Sequence, residues 1–147
     1  MGLWDWTLAA YGRPGAPEAC LALQDEHGQM TSFLLWAVWA ETADKALLDR
    51  AAGVARRWDG LALSPIRAVR RALKPAFNGV CDDAREGLRE DVKAAELRAE
   101  RVLMEALEAI TPRQGGAPAL TALKAASAAW GTPAPDHALA QLAAALS

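Results

Sequence analysis

Apolar positions recur along this chain at intervals of three and four, interrupted by short clusters of proline and glycine. Trp4, Leu8 and Tyr11 mark one side of a first helix over Leu3 to Tyr11, which Arg13-Pro14-Gly15 breaks. A second helix is expected from about Ala16 to His27. It buries Cys20, Leu21 and Leu23 or Gln24, and it stops at Gly28, where glycine takes the left-handed conformation that closes a helix. The third, about Thr31 to Ala40, is apolar nearly all round, through Phe33, Leu34, Leu35, Trp36, Val38 and Trp39. A helix without a polar face belongs at the centre of a bundle.

Thr42 is positioned to cap a fourth helix from Ala43 to about Trp58, with Leu47, Leu48, Ala51, Val54, Ala55 and Trp58 on its inner side. Asp59-Gly60 reads as its end. Ser64-Pro65 then reads as a new start, a capping hydroxyl followed by proline at the first helical position. Pro75 stops that fifth helix or kinks it, and Asn78-Gly79 makes a turn. Asp82 begins the longest helix, to about Ile110, with a predicted seam of Leu88, Val92, Ala95, Ala99, Val102, Ala106 and Ile110. Beyond Gln114-Gly115-Gly116 come two alanine-rich helices separated by Gly131-Thr132-Pro133-Ala134-Pro135. The expected division is a helical core over 1–112 and an alanine-rich tail over 113–147, the tail being the least firmly held part or an oligomerisation element.

Composition sharpens the fold class. The 147 residues include 35 alanines and 20 leucines against 6 valines and 2 isoleucines. Alanine and leucine favour helix, and strands need β-branched and aromatic residues. The expectation is an all-α, compact bundle of about six to eight helices with one long helix at about 82–110. Leu3 to Trp39 holds four of the six tryptophans, the one tyrosine and one of two phenylalanines. Rings of that size bury much area. Trp4, Trp36, Trp39 and Trp58 are therefore expected in the core. Trp4 and Trp6 lie about 200° apart on a helix, so one of them should reach a surface, and Trp6 is the interface candidate.

Charge narrows the chemistry. The net charge is −2, yet residues 56–74 carry Arg56, Arg57, Arg67, Arg70, Arg71 and Lys74 against Asp59. Guanidinium groups in a cluster suit phosphate or carboxylate, so these six are the anion-binding candidates. The bland alternative pairs them with Glu86, Glu90, Glu96 or Glu100 of the long helix. Total positive charge is too low, and a reading element too absent, for an ordinary nucleic-acid binder. Gln24, Asp25 and His27 crowd the end of the second helix; no nucleophile accompanies them, and a histidine there also suits the helix dipole. Asp82 and Asp83 resemble half of the magnesium-holding motif of helical prenyl-transferring enzymes, without a second acidic motif. His137 stands alone. Cys20 and Cys81 match no metal or redox spacing and read as buried thiols of a reducing cytoplasm. No cofactor or metal motif is present. The longest uncharged stretch, His27 to Ala40, is too short to span a bilayer, and no basic leader precedes Asp5, so a cytoplasmic protein is expected.

Two sets of motifs carry a resemblance. The first is Leu3-Trp4-Asp5-Trp6-x-Leu8-x-x-Tyr11, then Pro14-Gly15 with Ala19-Cys20-Leu21-Ala22-Leu23-Gln24-Asp25-x-His27-Gly28, then Leu34-Leu35-Trp36-x-x-Trp39. The second is Pro65-x-Arg67-x-x-Arg70-Arg71-x-Leu73-Lys74 with Val92-Lys93-Ala94-Ala95-Glu96-Leu97-x-Ala99-Glu100-Arg101. Over about residues 3 to 107 the chain resembles a family of small uncharacterised bacterial proteins, mainly proteobacterial, that constitutes a domain of unknown function. Met30-Thr31-Ser32 departs from its pattern, which has an aliphatic residue and asparagine before the leucine run. The resemblance implies a small helical cytoplasmic fold and no activity. It singles out Asp5, Gln24, Asp25 and the Lys93 to Arg101 segment as side chains with roles beyond packing. The functional expectation is a non-enzymatic protein-interaction or self-association module. A binder of a phosphate-bearing metabolite, lipid headgroup or nucleic acid is the alternative, and an enzyme built on Asp25 and His27 or Asp82 and Asp83 ranks last.

Overall fold

In the computed structural model, which describes residues 1–147, the chain forms eight α-helices and no strand. These are α1 (Leu3–Tyr11), α2 (Ala16–His27), α3 (Thr31–Trp39), α4 (Lys45–Trp58), α5 (Ser64–Ala72), α6 (Asp82–Ala109), α7 (Ala119–Trp130) and α8 (Asp136–Ala145). The all-α class and the single long helix hold. Eight of the nine residues of α3 are buried, as a helix apolar all round requires. It packs against α1, α2, α4, α6 and α7, so the molecule is built around it. Gly28 closes α2 at φ 62°, and the Gln29 N–H reaches back to the Leu23 carbonyl at 3.0 Å.

The indoles act as fasteners between segments. Trp36 is fully buried, stacks on Phe33 at 5.7 Å, and donates Nε1 to Thr111 Oγ1 at 2.8 Å. Trp58 Nε1 reaches the Ala99 carbonyl on α6 at 2.9 Å, and Trp130 Nε1 reaches the Gly28 carbonyl at 3.0 Å. Trp39 Nε1 donates to the Met1 carbonyl at 3.2 Å. A buried indole N–H left without an acceptor is costly, so each bond fixes a register as well as an attraction. Trp36 alone is wholly buried, while Trp4, Trp6, Trp39, Trp58 and Trp130 are half-buried around it.

Several expectations need correction. The buried stripe of α1 is Leu3, Thr7 and Ala10, one position from the expected Trp4, Leu8 and Tyr11, and Leu8 is exposed. The large Trp4 ring is half-buried and packs on the core from the flank. On α2 the inner residues are Ala16, Ala19, Cys20 and Leu23, with Leu21 exposed. The cap of α4 is Asp44, which accepts from the Leu47 N–H at 3.2 Å; Thr42 instead accepts from the Asp44 N–H. The fourth correction concerns the tail. Leu123, Ala126, Leu139 and Leu142 are fully or almost fully buried in the same cluster as α3, so α7 and α8 are not loosely held. Their small alanines allow close helix approach, which a reading of side-chain size alone underrates. The connection before α7 is clamped as well: Gly115 N–H donates to the Ala40 carbonyl at 2.9 Å, and a Cβ at Gly115 would sit 2.6 Å from the Glu41 carbonyl oxygen.

Asp59-Gly60 does not end a helix. The chain continues through a π turn, Asp59–Leu63, into α5, so α4 and α5 form one bent rod. Ser64 keeps helical geometry and spends its hydroxyl on Asp59 Oδ2 at 3.0 Å rather than on a cap. Fully buried Leu63 draws this turn onto the bundle. The residue that a π turn adds rotates everything after it by about 100°, which re-aims α5 relative to α4. From Ser64 to Ala84 no residue is buried, and α5 touches only the π turn and α6. This helix, the connection after it and the first three turns of α6 form an arm that leaves the body.

Candidate functional site

The inner face of α6 carries charges where an apolar seam was expected. Its buried residues are Arg85, Glu96, Ala99, Leu103, Met104 and Leu107, whereas Leu88, Ala95, Val102 and Ala106 are exposed. Glu96, its side chain 11% exposed, lies 3.6 Å from Arg67 Nε and 3.3 Å from Arg70 Nε. Arg67 is also 3.5 Å from Asp59 Oδ1 and 3.8 Å from Glu100 Oε1. A guanidinium shared among three carboxylates holds the rotated α5 against α6 where apolar burial does not. Glu100 has a carboxyl raised above the ordinary range. Burial is the largest cause, Arg67 opposes it, and the Glu96 charge adds to it.

These side chains wall an open cleft of about 420 Å³ between α2, α5 and α6, lined by Gln24, Arg67, Arg70, Lys93, Glu96, Leu97 and Glu100. Each comes from one of the segments that carry the family resemblance. The Ala19–Asp25 segment supplies Gln24, Pro65–Lys74 supplies both arginines, and Val92–Arg101 supplies the rest. Tyr11 keeps 41% of its surface exposed, but desolvation of its phenol near Glu100 pushes it up to about 12, with a Thr31 hydrogen bond pulling the other way and the Cys20 and Glu100 charges adding to the rise. Burial likewise raises the Cys20 thiol to about 11.

The six basic candidates do not converge. Arg67 and Arg70 meet in the cleft. Arg56 lies 4.8 Å over the Trp130 ring and donates to the Ala129 and Trp130 carbonyls at the end of α7. Arg57, Arg71 and Lys74 are exposed and make no ion pair. Of the polar candidates, Gln24 lines the cleft, Asp5 and Asp25 are exposed, and His27 Nε2 stands 3.8 Å from Glu26. Asp82 pairs with Arg85 at 2.6 Å, and Asp83 is exposed. Trp6 is half-buried, in an open groove with Met1, Val38, Trp39 and Pro118. Trp4 lies under Arg101, 5.7 Å from its guanidinium carbon.

Glu96, Lys93 and Arg85 were legible only in part. The signal was a charge at an inward position: Glu96 falls between Val92 and Ala99 at helical spacing. Arg85 fastens the outer end of the arm, donating Nε to the Leu73 carbonyl at 3.1 Å and Nη2 to Glu86 at 3.0 Å.

Beyond Arg85 the outer side of the arm is apolar. Ala72, Leu73, Phe77, Val80, Ala84 and Leu88 surround a hollow of about 430 Å³. Phe77 is 69% exposed and Leu88 53%, and Val69 continues the strip along α5. Cys81 sits at the tip and is exposed, contrary to the expected burial, because it begins α6 at the outermost point of the arm. Backbone N–H groups of Ala84 and Asp83 hold its thiol below the usual cysteine range.

No helix is long and apolar enough to cross a membrane. No curated protein and no solved structure matches the chain. The family model that does match covers residues 2–107, from the start of α1 to the last buried leucine of α6. It contains the cleft and the whole arm, and the chain belongs to that family, described as protein of unknown function (DUF2390).

Proposed function

We propose that the chain is a self-associating helical module whose contact surface is the outer side of the arm, with a second copy of the chain as occupant. The observation that carries this reading is the apolar strip of Val69, Phe77, Val80 and Leu88 around half-buried Leu73, left facing water where α5 buries no residue at all. Contiguous exposed apolar patches of this kind mark interaction sites. The arm also carries unpaired charges of both signs. Arg71 and Lys74 on the α5 side and Asp83 and Asp91 on the α6 side have no ion-pair partner within the chain. Two copies meeting across the strip would bring charges of opposite sign near one another at its rim. The alternative, an anion binder using all six basic residues, draws less support. Arg56 is engaged by α7, and Arg67 and Arg70 by glutamates.

Sedimentation equilibrium tests the proposal. The expected result is a dimer that Leu88→Asp converts to a monomer with unchanged helical content. A wild-type chain that stays monomeric at millimolar concentration overturns it.

A further inference from the structure

The cleft at the root of the arm holds both signs of charge, and they are unevenly neutralised. Arg70 approaches Glu96 only through Nε, at a geometry that makes no hydrogen bond, and its two terminal nitrogens have no protein partner. Lys93 reaches outward to Glu90 at 3.1 Å, with its side chain 41% exposed. The Gln24 amide, on the facing helix, has no side-chain hydrogen bond. At the other end Glu100 pairs only with Arg67, at 3.8 Å, with Arg70 acting on it from farther off, and Arg67 is already shared with Asp59 and Glu96.

We propose that this cleft binds a small zwitterion of the dipeptide class. The ligand carboxylate lies on the Arg70 fork and Lys93, its peptide unit lies on the Gln24 amide, and its ammonium lies on Glu100. Geometry selects the class. Lys93 and Glu100 are seven residues apart on one helix, about 10 Å along the axis. Two extended residues span about 7 Å, and the long side chains cover the remainder. A single α-amino acid carries both charges on one carbon and reaches only one end. A simple anion satisfies the Arg70 end and leaves Glu100 beside added negative charge. The Gln24 amide offers a donor and an acceptor, the complement of a peptide link. Leu97 supplies an apolar wall, and about 420 Å³ accommodates two small residues. The raised Glu100 carboxyl fits this account, because an incoming ammonium stabilises the ionised form.

Calorimetric titration of the full-length chain with Ala-Ala at neutral pH and low salt tests the assignment. N-acetyl-Ala-Ala and Ala-Ala amide each lack one charge. The expected result is saturable binding of Ala-Ala, weakened about tenfold or more by either block, since losing one partner of a close charge pair costs at least that much. Glu100→Gln is expected to abolish the preference for Ala-Ala over its acetylated form. Lys93→Gln, at an exposed position held only by Glu90, is expected to weaken Ala-Ala and acetyl-Ala-Ala by a similar factor while the fold stays intact. No binding of Ala-Ala at about 10 mM overturns the proposal, as does equal binding of both blocked forms or unchanged affinity in the Lys93→Gln chain. The cleft lies off the apolar strip, so these results do not depend on whether the chain dimerises.

Discussion

The body and the arm are built from similar helices by opposite means. In the body, α3 and the alanine-rich α7 and α8 share one apolar cluster, fixed in register by indole N–H bonds to Thr111, Ala99 and Gly28. In the arm no apolar side chain is fully buried, and the position of α5 is set by Arg67, Arg70, Glu96, Glu100 and Asp59 together with half-buried Ile66 against the core. Apolar burial is non-directional and grows with area, whereas a guanidinium network fixes direction and contributes less net stability. The body therefore supplies most of the free energy of folding. The arm spends its charges on orientation and leaves its apolar side facing outward.

Substitutions break this contrast in graded fashion. Trp36→Ala is expected to cost about 3–5 kcal/mol by chemical denaturation, the cost of emptying a buried aromatic site. Arg67→Ala leaves Glu96 facing a single cation and is expected to cost about 3 kcal/mol, the lower end for breaking a buried ion pair, with added mobility confined to α5. The thiols separate the regions by pH. Unfolded Cys20 loses its proton near pH 9 and folded Cys20 near about 11. Its contribution is thus complete below pH 9 and lost as pH rises through that window, about 2–3 kcal/mol in all. Cys20→Ala is expected to flatten the decline between those values. Cys81 on the arm is expected to react with iodoacetamide in the native protein well before Cys20 does.

Gly115→Ala drives a methyl group against the Glu41 carbonyl and is expected to cost about 1–3 kcal/mol. Phe77→Ser marks the other extreme: at 69% exposure it is expected to change monomer stability by less than about 0.5 kcal/mol. A large loss there would put Phe77 in the core and erase the distinction between the two regions.

Much of this was legible in the residues. Proline and glycine clusters delimited α1, α2 and the start of α6, and the all-apolar run placed α3 at the centre. The π turn was not, because Asp59-Gly60 and Ser64-Pro65 are sound stop and start signals that burial of Leu63 overrides. Helix faces were misjudged where bulk misled: Thr7 and Ala10 face inward and Leu8 and Leu21 do not. The cleft was half legible. Arg67 and Arg70 share a face by spacing, but their convergence with Gln24 and Glu96 depends on how α5 is rotated, which no local pattern encodes.

Native-state hydrogen exchange on the Leu88→Asp chain, freed of any contact through the arm, tests the central claim that one core unites α3 with α7 and α8 and excludes the arm. The account predicts that the slowest amides of α3, α7 and α8 exchange only with global unfolding, while those of α5 and the first turns of α6 exchange through a cheaper opening. Slow exchange throughout α5, or exchange in α7 and α8 as fast as in the arm, would contradict it.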